Sequence, residues 1–382
     1  MSAAAPLAGK RIVDFSLYLP GPYATRLLAD LGAEVISVEP LRGDPMREFL
    51  PGIYEFVNRG KPVVRVDLKK DEGRAAIDKL VASADAVLEG FRPGVAERIG
   101  IGYEHCAELA GDLVYCSLSG YGQSGPERDH PGHDIGYEAS GGGYAGVLAV
   151  GDPPAPPHLA AGDLSAAMFV ALTLSATLAG RAEGAGATHI DVSMLESLTH
   201  LSATRWGRYL RDQVEPQLSD LGSYAPGNSF YATADGRWVA LAAVEDKFWS
   251  GLCGALGRED LLAAPYDTHA GRMENRVALR EALAAEVAGR SSTDLIATLK
   301  GADVPVNLVH TAAEVVADPH LRERGMIREL EDGLHLDFPV MIDGKRGSAG
   351  DALPDPALDG PRVLGAVGVD VEALRDSGAL GG

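Results

Sequence analysis

Three short stretches hold residue types suited to proton and acyl chemistry: Gly132-His133-Asp134-Ile135, Gly141-Gly142-Gly143 and Gly162-Asp163-Leu164. An imidazole beside a carboxylate, then flexible backbone, then a second carboxylate in an apolar segment is equipment for moving a proton on and off carbon. Backbone N–H groups nearby would hold an oxyanion. The imidazole of His133 suits reversible proton transfer near neutrality. Asp163 precedes an apolar run, so it also reads as a helix N-cap, and a helix N-terminus stabilises an ionised carboxylate. Asp134 reads as a site residue, or as a group that merely orients His133 or caps a turn. Gly141 and Gly142 read as a tight turn, or as a place where a ligand and backbone donors approach closely. Glu245 reads as a helix-start residue facing solvent or as a member of the site.

These residues need a scaffold, and the hydrophobic periodicity supplies one. Arg11–Phe15, Glu34–Glu39, Pro62–Leu68, Ala86–Glu89 and Leu113–Leu118 read as strands. Helical patterns alternate with them, at Ala24–Leu31, from Asp71 to about Ser83, and after Gly94. That alternation predicts a parallel, doubly wound α/β sheet with Rossmann-like winding. The first turn lacks G-x-G-x-x-G, so no dinucleotide site is expected. A Gly-rich loop and the turn-forming stretch Gly151–Pro157 follow, then a helix over roughly Leu164–Leu178, a strand at Thr188–Ser193 and a helix near Met194–Leu210. Asp235-Gly236 between two apolar runs predicts a hairpin, 230–233 with 237–241. Helices at Lys247–Leu256, Asn275–Ala288 and Thr293–Lys300 and a strand at Val306–Val309 complete a smaller α+β unit. The expected division is a large domain over 1–200, a linker over 201–227, a small domain over 228–320, and a C-terminal segment over 321–382.

Composition excludes other classes. Hydrophobic residues make up 46% and charged residues 23%, which is globular usage. A formal charge of -20 argues against nucleic-acid binding, yet a local Arg cluster can still hold phosphate. Cys106, Cys116 and Cys253 have no pairing or metal spacing and read as buried thiols in a reducing compartment. No secretory leader is expected, and the apolar stretch from Ala160 to Gly180 is interrupted by Asp163, Ser165, Thr173, Ser175 and Thr177, so no membrane span is expected either. The cytoplasm is the expected location.

Several dispersed segments resemble the superfamily of family III CoA-transferases and α-methylacyl-CoA racemases. They are Leu7–Asp14, Leu28–Val35, Asp67-Leu68-Lys69, Glu89–Gly94, Ser119–Pro126 and Gly132-His133-Asp134. The resemblance spans nearly the whole chain. It implies an interlocked homodimer and a CoA site on the large domain, with Arg42, Lys69, Arg92 and Arg98 as phosphate donors and Glu89 accepting from ribose or adenine. Two chemistries compete within it. In transferases the Asp at the Asp163 position is a nucleophile, forming a mixed anhydride and then an enzyme-bound thioester. In racemases the matching Asp and a His are an acid/base pair. His133 before Asp134, the lack of a polyglycine run before Asn228, and Val244–Trp249 with Glu245 resemble the racemase. The expectation is therefore 1,1-proton transfer at the α-carbon of a 2-methylacyl-CoA by His133 and Asp163, with CoA transfer through Asp163 as the alternative. No metal or redox cofactor is implied, since the thioester itself acidifies the α-carbon. A CoA-ester-binding protein without turnover is a third reading, against which the intact His133/Asp163 pair argues.

Overall fold

The computed structural model describes residues 5–149, 153–217 and 225–382. The chain divides into two compact units, one of 1–143, 156–202 and 319–382, the other of 144–155 and 203–318.

The first unit is built on a seven-stranded sheet. Six parallel strands, β1 (Arg11–Asp14), β2 (Glu34–Glu39), β3 (Val63–Val66), β4 (Ala86–Glu89), β5 (Val114–Ser119) and β6 (Thr188–Ser193), stand in the order β3-β2-β1-β4-β5-β6. Leu380–Gly381 adds an antiparallel edge against β3. The strands are nearly continuous in Val, Ile and Leu because helices cover both faces. Val13, Ile36, Val64, Val87 and Tyr115 point to one face, against Ile77 and Leu80 of helix α2 (Asp71–Val81). Ile12, Val35, Leu88, Val114 and Cys116 point to the other. There they meet Leu28 of α1 (Pro20–Asp30) and Ala166, Val170 and Leu174 of α4 (Ala161–Gly180). Each fully buried Leu, Ile or Val side chain contributes about 1.5–3 kcal/mol. All three cysteines are free and buried.

The glycines of the Gly-rich stretch, 141–143, lie in a turn, and two short helices that were not expected, α3 (Asp134–Ser140) and Ala145–Ala149, flank them. Met46–Phe49, Pro51–Asn58, Tyr103–Leu109 and Pro356–Ala366 are also helical without having been expected. Their apolar periodicity is short, and Pro51 and Pro356, which look like breakers, occupy the first helical turn, where the missing N–H is harmless. Helix α4 is longer than expected, and its mean hydropathy of 1.5 makes it long and apolar enough to cross a membrane by length and composition. The interrupting polar residues do not prevent that. In this fold its Gly162, Ala166, Val170 and Leu174 are buried in the core. After β6, helix α5 (Met194–Asp212) runs on with a kink at Trp206.

The second unit carries an antiparallel sheet of β7 (Asn228–Ala232), β8 (Trp238–Ala242) and β9 (Val306–Leu308). Val239 and Leu241 pack on Trp249 and Leu252 of helix Asp246–Leu256, Leu283 of Arg276–Ala288 and Leu295 of Ser292–Gly301. The hairpin turn has Gly236 at a φ of 74°. Its Asp235 carboxylate accepts the N–H and hydroxyl of Ser292, at 3.0 and 2.7 Å, and the Thr233 hydroxyl. The Thr233 and Ser292 bonds hold Asp235 down at about 2.

Candidate active site

Two helix N-termini meet in the first unit. His133 is the N-cap of α3, and its carbonyl accepts the N–H groups of Gly136 and Tyr137 at 2.8 and 3.3 Å. Helix α4 starts at Ala161, with Ala160 as its N-cap. Asp163 is therefore its third residue, a correction to the N-cap expectation. The cap is supplied by the neighbouring helix instead. Asp134 Oδ1 accepts the Asp163 N–H at 3.0 Å, and Glu138 Oε1 accepts the Ala161 N–H at 3.2 Å. Asp134 and Glu138 lie on one face of α3 because they are four residues apart. They satisfy two of the N–H groups that a helix start leaves without partners.

Small residues permit this approach. A Cβ on Gly162 would stand 3.0 Å from Asp134 Oδ1 and 3.4 Å from Tyr137 Cβ. The buried Tyr137 ring lies between Gly120 and Gly132, where an added Cβ would come within 2.5 Å of it, and Tyr121 meets it edge-on at 5.4 Å. At the end of α3, Gly141 N–H donates to Tyr137 O at 2.7 Å and Gly143 N–H to Glu138 O at 3.1 Å, while Gly142 takes a φ of 84°. These two N–H groups close the helix, so the oxyanion role suggested for this stretch is not open to them.

Burial, and next the nearby Asp134 carboxylate, push Asp163 up to about 7. Burial first, then Tyr121 and Asp163, pushes the Tyr137 phenol to about 12. A carboxyl that changes charge near neutrality can attack as a nucleophile when ionised, or take and return a proton. His133 is exposed, on the turn that leads into Asp134.

A crevice of ≈ 560 Å³ opens at the C-terminal ends of β1, β2 and β3, lined among others by Phe15, Leu17, Pro40, Arg42, Lys69 and Phe91. Ligands of open α/β sheets bind outside the carboxyl ends of the strands, near where strand order reverses, here between β1 and β4. Arg42 and Lys69 bring two exposed cations to this crevice. Its back wall is anchored by buried Glu39, which accepts from Arg47, Arg65 and the Tyr54 hydroxyl. Glu89 sits behind the lining. It is buried at the end of β4, and its carboxylate accepts the Phe91 N–H at 2.8 Å, so it shapes the turn that presents Phe91. Burial pushes it to about 7. Arg92 is exposed on that turn, close enough to act electrostatically on Tyr137. Arg98 is exposed at the end of helix Val95–Arg98, next to Ile99 of the lining. Glu245 lies in the second unit as the exposed N-cap of helix Asp246–Leu256, with no side-chain cap bond. The residues that sequence reading passed over are Glu138, Tyr137 and Phe91. The four-residue spacing of Asp134 and Glu138 was the available signal for the first.

Comparison with known proteins adds to this geometry. The pattern of the family described as "CoA-transferase family III" matches residues 7–359. A succinyl-CoA–D-citramalate CoA-transferase from Chloroflexus aurantiacus is 34% identical, over 86% of this chain and 84% of its own. A succinyl-CoA:mesaconate CoA-transferase from Haloarcula hispanica is 33% identical over 92% of both chains. Among solved structures, a CAIB/BAIF family protein from Brucella suis superposes with a TM-score of 0.84 at 26% identity, covering 95% of this chain and 100% of its own.

Proposed function

The chain belongs to CoA-transferase family III, and from that premise we propose that it moves coenzyme A from an acyl-CoA donor to a carboxylic acid, with Asp163 as nucleophile. The observation that carries this is the Asp163 carboxyl, raised to about 7 at the start of a helix whose neighbouring N–H groups are already occupied. Ionised, it attacks the thioester carbonyl and expels the CoA thiolate, leaving a mixed anhydride. The thiolate then attacks the Asp163 acyl carbon, releasing the donor acid and leaving CoA as a thioester on Asp163. The acceptor carboxylate reverses both steps. The names of the relatives support succinyl-CoA as donor and a short dicarboxylate as acceptor. In this reading Arg42, Lys69, Arg92 and Arg98 face the CoA phosphates, and Asp134 holds the backbone of Asp163. No resident metal or redox cofactor takes part.

Mixing succinyl-CoA with a panel of dicarboxylates and following new CoA esters by mass spectrometry tests the proposal. Trapping Asp163 with hydroxylamine during turnover should mark the enzyme thioester; no transfer to any acid would overturn the reading. One observation favours a second reading, racemisation of 2-methylacyl-CoA: His133 stands on the turn directly before the residue that holds Asp163. Deuterium uptake at C2 of either epimer with no acceptor acid present would select it. The proposal extends to an interlocked homodimer, which sedimentation showing a folded monomer would overturn.

A further inference from the structure

The first βα turn, Phe15 to Leu19, floors the crevice through Phe15 and Leu17. Tyr18 in it has a φ of 68°, a left-handed conformation that a non-glycine residue keeps only where its surroundings impose it. Two buried carboxylates hold the turn, one of them at Tyr18 itself. Asp44 accepts the Tyr18 N–H at 3.0 Å and the Met46 N–H at 2.8 Å. Asp14 accepts the Ser16 N–H at 2.9 Å and also the Ser16 hydroxyl. Ser16 is wedged in place: a Cβ on Gly21 would fall 2.0 Å from its Oγ, and one on Gly90 3.1 Å from its Cβ.

Behind Asp14 lies Lys61, with its side chain at 0% exposure. The ammonium donates to Pro22 O and to Thr25 Oγ1, each at 3.0 Å, and stands 3.8 Å from Asp14 Oδ2. The Thr25 hydroxyl in turn donates to Asp14 Oδ2. The charged groups that face Lys61 are Asp14 on β1, Arg26 on α1, and Asp44 and Glu39 at and beyond the end of β2. A wholly buried ammonium persists only when paired and hydrogen-bonded, and its removal leaves the partner charge uncompensated. None of the chemistry on α3 and α4 uses this group.

We propose that Lys61 is a positioning residue for the crevice: its ammonium holds the Asp14 carboxylate, which fastens the Ser16–Leu19 turn on which a bound CoA ester rests. The binding consequence rests on the crevice being the CoA site, whereas the fastening stands without it. Burial pulls Lys61 down to about 8, with Asp14 opposing that fall. The ammonium is therefore present at pH 7 and lost as pH rises past 8, so the turn should loosen on the alkaline side.

Hydrogen–deuterium exchange of the full-length protein reads the turn directly. At pH 7, Lys61→Met and Ser16→Ala should each speed exchange in the segment 15–22 by roughly fivefold, the equivalent of one lost hydrogen bond. Segment 279–287 of the second unit should be unchanged. The unsubstituted protein, corrected for intrinsic rates, should approach Lys61→Met as pH goes from 7 to 9. Calorimetry with CoA as the probe should show the dissociation constant rising in parallel, with its alkaline dependence absent in Lys61→Met. If Lys61→Met does not fold, Ser16→Ala decides. Unchanged exchange in the turn overturns the proposal, and so does faster exchange with unaltered CoA affinity. CoA failing to bind the unsubstituted protein would overturn the reading of the crevice, and turn exchange would then decide the fastening alone.

Discussion

Asp163 near pH 7 gives the proposed chemistry a pH dependence with a defined sign. A nucleophile must be ionised, so the rate of CoA transfer should rise with pH through about 7 and then level. Asp134→Asn keeps an oxygen for the Asp163 N–H but removes a like charge, so this rise should move to lower pH; a pH–rate profile checks it. Asp163→Asn should abolish transfer, whereas His133→Ala should leave most of it. If both variants instead lose activity by about 10²–10⁴-fold, the acid/base pair of the racemase reading is favoured. Stability carries the same signature. The folded value of Asp163 exceeds its ordinary one of 3.8, so the fold holds this proton more tightly than the unfolded chain. Stability is then highest below 3.8 and falls as pH rises towards 7. Asp163→Asn removes the desolvated charge and should stabilise the protein at pH 8 by roughly 1–3 kcal/mol, allowing for partial exposure, which thermal melts at pH 4 and 8 would read.

At the scale of elements, the site is a junction of two helix ends. Glu138→Ala uncaps the first N–H of α4 and should cost about 1 kcal/mol in a denaturant melt. Gly162→Val is more severe, because its first side-chain carbon already stands 3.0 Å from Asp134 Oδ1. The helices must part, at about 1–3 kcal/mol, and Asp163 moves with α4. That variant should therefore lose transfer activity beyond its loss of stability. A melt unchanged from the unsubstituted protein would show that the junction is looser than described.

The whole first unit is closed by the far end of the chain. Leu380 and Gly381 pair with Val66 and Arg65, and Ala379 O accepts the Asp67 N–H at 2.9 Å. Val66 and Asp67 line the crevice, so residues separated by most of the sequence fix its outer wall. Deleting 379–382 should lower the melting temperature and raise the CoA dissociation constant together, since the buried Ala379 and the edge pairing are lost at once. A truncated protein that keeps full CoA affinity would refute this coupling.

The parallel strands β1 to β6 are legible in the sequence, because a strand buried on both faces must be a short apolar run and the helices between such runs carry their own period. The hairpin around Asp235-Gly236 is legible for an equally local reason: its turn needs a residue at positive φ. His133, Asp134 and Asp163 stand out by residue type and glycine context. Their arrangement does not. That Asp163 lies inside α4 rather than capping it depends on carboxylates lent by α3, which no window containing only 161–180 reveals. Likewise Arg42 and Lys69 share a crevice only because β2 and β3 are neighbours in the sheet. Lys61 looks like a surface lysine in the sequence. Its burial beside Asp14 is decided by the packing of α1 on β1, which removes water from a charge and makes its partner indispensable.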